Sequence, residues 1–156
     1  MSTLTIPAAF IAALISVESG GNDHAIGDNG QAVGCLQIHP CVVEDVNRIS
    51  GVTPPARVFL RSDRTDRGMS VIMCRVYLQH YAVKDRLGRE PSLEDLARIW
   101  NGGPDGYKKP ATKPYWIKVR TAMEDCVSAK TGNFYTSAMG FYCFSGPEGD
   151  FFANTP

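Results

Sequence analysis

The stretch from Ile6 to Val17 is almost entirely apolar and ends on a carboxylate, Glu18. No other feature constrains the fold as strongly. Phe10, Ile11, Leu14, Ile15 and Val17 cover nearly the whole circumference of a helix, and a helix apolar all round belongs inside a larger core. Thr5 is the expected N-cap and Pro7 falls in the first turn, where its missing N–H is tolerated. Gly20-Gly21 ends the helix. The run also has the size of a signal-peptide core, but no Lys or Arg precedes Arg48 and no small-residue cleavage site follows. It therefore reads as a buried helix of the mature protein, and secretion would need another route. No stretch of the chain is long and apolar enough to read as a membrane span.

The 156 residues suffice for one real core without metal or disulfide staples. Sixteen basic residues balance sixteen acidic ones, which excludes a strongly basic nucleic-acid binder. Five cysteines (Cys35, Cys41, Cys74, Cys126, Cys143) make an odd count, so a full disulfide framework is excluded and free buried thiols are expected. Cys35, His39 and Cys41, with His24 upstream, match no standard zinc spacing, and neither metal nor cofactor is expected. A thiol–imidazole pair drawn from the same residues is a weaker alternative.

Further helices are expected over Pro40 to Ile49, Asp63 to Leu87, Ser92 to Trp100 and Tyr115 to Ala129. Ser92 and Asp95 supply a capping box to the third of these. Val71, Ile72, Val76, Leu78 and Tyr81 form the expected apolar stripe of the long helix, and His80 falls among its core positions. Gly20 to Gly34 and Asn101 to Pro114 read as loops. Lys108, Lys109, Lys113, Lys118 and Arg120 read as a solvated basic face, with the rim of a cleft as the alternative. From Thr131 the character changes: seven of the fifteen aromatics fall in the last 26 residues, which look extended. The expected organisation is a helical domain over 1–130 and an aromatic-rich flap over 131–156 packed on it.

Glu18 shares its helix face with Ile11, Leu14 and Ile15. Desolvation there favours the protonated carboxyl, the form that a general acid requires. The surrounding residues add to this: Glu18-Ser19-Gly20-Gly21, then Gly34-Cys35-Leu36-Gln37-Ile38, then Trp100-Asn101-Gly102-Gly103. In order and spacing this set resembles the lysozyme-like superfamily that joins goose-type lysozymes and soluble lytic transglycosylases, over roughly residues 6–127. The resemblance implies a mostly α, lysozyme-like domain with a short extended or β C-terminal segment. It implies cleavage of the β-1,4 bond between N-acetylmuramic acid and N-acetylglucosamine in peptidoglycan, by a monomer. With no signal peptide read in the sequence, the expected origins are a phage-encoded protein, export by another route or a domain of a larger chain. Glu18 then looks like the catalytic acid and Ser19 like its loop-orienting neighbour. Gly34 and Gln37 look like a strand segment lining the sugar cleft, and Asn101 like the Asn that hydrogen-bonds near the acid. Two positions depart from the pattern: Trp100 stands where the family carries Tyr, losing a hydroxyl, and His39 stands where goose-type enzymes carry Asp. Both join the expected substrate-binding set.

Asp28, in Gly27-Asp28-Asn29-Gly30, resembles the second acid of goose-type enzymes. As a base it would activate water for an inverting hydrolysis; as a turn residue only, it would leave a lytic transglycosylase making a 1,6-anhydro product. Chitin hydrolysis and a glycan-binding module without turnover are the remaining alternatives.

Overall fold

A computed structural model describes residues 4–51, 58–128, 142–144 and 151–153. Among these residues, six α-helices span Ala8–Ser19 (α1), Pro40–Ser50 (α2), Arg67–Tyr81 (α3), Lys84–Leu87 (α4), Leu93–Gly102 (α5) and Lys113–Ser128 (α6). Short strands span Ile26–Gly27 (β1), Ala32–Val33 (β2), Tyr142–Phe144 (β3) and Phe151–Ala153 (β4). α1 is the hub, as its composition requires: Phe10, Ile11, Ala13, Leu14 and Ile15 are all buried. Around it pack Leu36 and Ile38 from the segment leading into α2, Val43 and Val46 from α2, Met73, Cys74 and Leu78 from α3, Leu96 and Ile99 from α5, and Val119 from α6. Among the described residues no helix is long and apolar enough to cross a membrane.

Several boundaries differ from expectation for local reasons. Pro7, not Thr5, is the N-cap of α1, with extended backbone at φ −62° and ψ 144°. Proline disfavours helix in the residue before it, so Thr5 and Ile6 stay outside. The long helix expected over Asp63 to Leu87 is three pieces: a 3-10 turn Arg61–Thr65, α3 and α4. Acidic side chains make the first break, since Asp63 accepts the Leu60 N–H at 3.0 Å and Asp66 accepts the Met69 N–H at 2.9 Å. Such side-chain bonds to the backbone compete with helix continuation. The second break is extended backbone at Val83, φ −123° and ψ 149°. The buried face of α3 only partly follows the expected stripe. Leu78 is buried and Val71, Val76 and Tyr81 pack against the core, but the face is centred on Ser70, Met73, Cys74, Tyr77 and Leu78, and Ile72 is 47% exposed. His80 is exposed, its ring edge-on to Tyr81, rather than in the core.

The glycine-rich loop folds into an antiparallel hairpin, β1 against β2, with Ile26 opposite Val33. Gly34 to Gln37 then forms a turn rather than a strand, closed by a single bridge between Val33 and Ile38. β3 and β4 pair antiparallel, Tyr142 opposite Ala153, which is the short β segment expected near the C-terminus. The expected packing of 131–156 on the helical domain lies outside the described residues, as do the side chains of Cys126 and Cys143. Cys35 and Cys74 are buried free thiols and Cys41 is an exposed one.

Candidate active site

Glu18 occupies the last turn of α1, and Gly20 ends the helix in the left-handed conformation at φ 62°. The carboxyl is held above its usual value of 4.5, chiefly because burial penalises the charge. The free carbonyls at this helix end act in the same direction. Two side chains oppose the shift. The Tyr115 hydroxyl donates to Glu18 Oε1 at 2.6 Å, and the nearby Trp100 side chain also favours the ionised form. The negative charge of Asp28 raises the acid further and His39 lowers it, which brings all four groups within electrostatic reach of one carboxyl.

Tyr115 is the residue that sequence reasoning missed. It lies 97 residues from Glu18, on α6, and its own ionisation is pushed up by burial and by the neighbouring acid, so it stays a donor. Its position is set by a buried knot between α5 and the start of α6. Arg98 donates to Thr112 Oγ1 at 3.0 Å, to Glu94 at 2.8 Å and to the Lys109 carbonyl at 3.1 Å. Gly106 closes this knot: a Cβ there would sit 1.8 Å from the Arg98 carbonyl oxygen. The hydroxyl that Trp100 cannot supply thus reaches the acid from a different helix.

Ser19 ties the helix end to the hairpin. Its Oγ donates to the Cys35 carbonyl at 2.9 Å and accepts the Gly21 N–H at 3.2 Å. Gly34 is buried at φ 85°, and a Cβ there would lie 1.7 Å from the Arg64 carbonyl oxygen. It acts as a backbone contact beneath the hairpin, not as an open cleft surface. Gln37 is likewise turned inward. Its amide donates to the Gly34 carbonyl at 2.9 Å and the Ala25 carbonyl at 3.3 Å, so both N–H groups hold the loop. Arg67 buttresses the same loop through Asp23 at 2.9 Å and the Gly21 carbonyl at 2.5 Å.

Asp28 stands at the hairpin tip, 70% exposed, with Oδ2 3.0 Å from His39 Nε2. Asn101 is exposed at the end of α5, without a hydrogen bond to Glu18. Trp100 packs edge-on against Tyr77 at 5.8 Å between ring centroids. Tyr77 in turn lines a cavity of about 440 Å³ with Cys41, Val42, Glu44, Asp45, Arg48 and Pro104. Trp100, Asp28 and His39 therefore all bear on the one acid, whereas none of them lines that cavity. Burial pushes the Cys35 thiol up to about 11 and raises Cys74 as well, so neither is a ready nucleophile. Among the described residues no group of three or more His, Cys, Asp or Glu could hold a metal ion.

No family model matches the sequence, and no curated protein matches it. Solved structures do match. One is a chain in the crystal structure of Aeromonas hydrophila PliI in complex with Meretrix lusoria lysozyme. It is 24% identical with a TM-score of 0.60, covering 74% of this chain and 89% of the matched one. Another is Tapes japonica lysozyme, 23% identical with a TM-score of 0.58, covering 73% of this chain and 88% of that one. The fold is lysozyme-like. At these identities the likeness is one of fold, and neither match speaks to the goose-type or transglycosylase subdivision. Within this lysozyme-like domain, α1 with Glu18 at its end is the central helix and the β1–β2 hairpin carries Asp28.

Proposed function

We propose that this lysozyme-like protein is a glycosidase that cleaves the β-1,4 bond between N-acetylmuramic acid and N-acetylglucosamine in peptidoglycan. One observation carries the reading: a desolvated carboxyl at the end of the central helix, hydrogen-bonded by Tyr115 and flanked by Trp100. That environment keeps a proton available at higher pH than a solvated Glu would, as a general acid needs. A module that only bound glycan would gain nothing from bearing the desolvation of this acid. Glu18 protonates the leaving oxygen. Asp28 takes a proton from the attacking water, and Trp100 offers a ring surface to the sugar. Asn101 and His39 border the same place. Ser19, Gly34 and Gln37 shape the loop that presents it.

A second reading, a lytic transglycosylase giving a 1,6-anhydro product, draws on the exposure of Asp28 at the hairpin tip, where it can serve as a turn residue alone. Chitin presents a similar bond to the same acid. Mass spectrometry of fragments from purified peptidoglycan and from chitin separates these outcomes. Hydrated muropeptides with inverted configuration support the hydrolase. Mainly anhydro products, with Asp28→Asn near wild-type rate, replace it by the transglycosylase. Release from chitin alone moves the substrate.

A further inference from the structure

Among the described residues, three other than glycine hold positive φ: Asp28 at 46°, Asn29 at 53° and Gln37 at 48°. All lie in the hairpin and the turn after it. Such backbone persists only where its surroundings over-determine it. The two ends of this segment meet in the pair between Asp28 Oδ2 and His39 Nε2, eleven residues apart at 3.0 Å. The histidine end is rigid. Pro40 opens α2 and keeps His39 in extended backbone at φ −81° and ψ 153°. Ile38 is bridged to Val33, and its carbonyl accepts from Arg64 at 3.0 Å. The aspartate side chain has no comparable frame: it projects from the hairpin tip, 70% exposed. A water-activating base must be held in line, and a solvated carboxylate on a turn is free to rotate. Stability is a poor reason for the contact, because exposed ion pairs contribute little.

We propose that His39 is a positioning residue: its imidazole N–H fixes Asp28 Oδ2 and leaves Oδ1 to take the proton of the attacking water. The inference rests on the muramidase reading and adds what decides whether water attacks. In the step, the water oxygen bonds the anomeric carbon, the glycosidic C–O bond breaks, Glu18 gives its proton to the leaving oxygen and Asp28 receives one from the water. His39 keeps its own proton throughout.

The test is steady-state kinetics on peptidoglycan with product analysis for His39→Ala and His39→Gln. A glutamine amide can reach Asp28 as a donor but cannot serve as a base. His39→Ala is expected to lower kcat roughly tenfold or more with KM within about threefold, and to shift products toward the anhydro form. His39→Gln should recover most of the loss. Adding His39→Ala to Asp28→Asn should slow the enzyme no further than Asp28→Asn alone. A rise in KM alone overturns the proposal in favour of a sugar contact. Glutamine as slow as alanine overturns it in favour of the imidazole carrying the proton, and an alanine variant at wild-type rate leaves the pair without a role. An inactive wild type defeats the muramidase reading instead. Nitrogen NMR then still judges the pair: the neutral His39 proton should sit on Nε2, and a tautomer unmoved by Asp28→Ala overturns the contact.

Discussion

Replacing Tyr115 by Phe removes one hydroxyl and little else, so it isolates what holds Glu18. The bond is 2.6 Å long, half-buried and directed at a carboxyl. A hydrogen bond to a charged group contributes about 1.5–3 kcal/mol and one between neutral groups about 0.5–1.5 kcal/mol. Which figure applies depends on the protonation of Glu18, and this fixes the sign of the pH dependence. Burial holds the acid above 4.5, so the folded chain binds its proton more tightly than the unfolded chain does. Its contribution to stability is full below about pH 4.5 and is lost as pH rises through the folded value. Tyr115 offsets part of that loss by bonding the ionised form.

Tyr115→Phe should therefore cost about 0.5–1.5 kcal/mol at pH 4 and about 1.5–3 kcal/mol at pH 8. For a domain of this size the latter is roughly 3–12 °C in Tm. Urea unfolding at both pH values measures the difference, with an unchanged m-value as the control. The same change makes Glu18 harder to ionise, so the alkaline limb of the kcat/KM profile should move to higher pH. An equal stability loss at pH 4 and pH 8, together with an unmoved alkaline limb, would refute the claim that the hydroxyl serves the ionised acid.

Glu18→Gln should lower turnover by about 100-fold or more, the size of a general-acid contribution, while raising Tm at pH 8 and not at pH 4, since the amide never ionises; residual activity within a few-fold of wild type removes Glu18 from the chemistry. Gly34→Ala should destabilise the fold by about 3 kcal/mol or more, combining positive φ with a Cβ placed against the Arg64 carbonyl; a denaturation midpoint near wild type contradicts the close approach. Of Cys35, Cys41 and Cys74, only the exposed Cys41 should react with an alkylating agent in the native state at pH 8, leaving turnover within about tenfold. Peptide mapping of the alkylated protein reads this directly, and complete inactivation with the fold intact would restore a thiol mechanism.

The parts of the fold that were legible in the sequence are those set by neighbours in the chain. The apolar circumference of α1 implied its burial, and Ser92 with Asp95 marked the start of α5, where Ser92 Oγ accepts the Asp95 N–H at 3.2 Å. The desolvation of Glu18 followed from its face on α1. The breaks around α3 were not legible, because they depend on whether Asp63 and Asp66 turn back to their own backbone or face solvent. Hydrophobic periodicity does not report that choice. Nor was the hairpin legible in the glycine-rich loop, since its strands are two residues each and have too few positions to alternate.

The site shows the same division in sharper form. Trp100 in place of Tyr reads from sequence as a loss, because the motif is local and the hydroxyl is absent from it. The structure supplies a hydroxyl from Tyr115 on α6, through a contact that only tertiary packing creates. The Trp100 side chain meanwhile lies beside the same acid and carries a larger ring. Tyr115 and Trp100, from two helices, now flank one buried carboxyl. Each lowers its proton affinity, while burial, acting first and most strongly, raises it. The balance sets how long the acid stays protonated as pH rises, and it depends on α5 and α6 holding their relative position. That position is fixed by Arg98, Thr112 and the Cβ-free approach of Gly106. Residues remote from any sugar therefore bear on the acidity of Glu18. Loosening the knot should move its pH profile in the same direction as removing the Tyr115 hydroxyl.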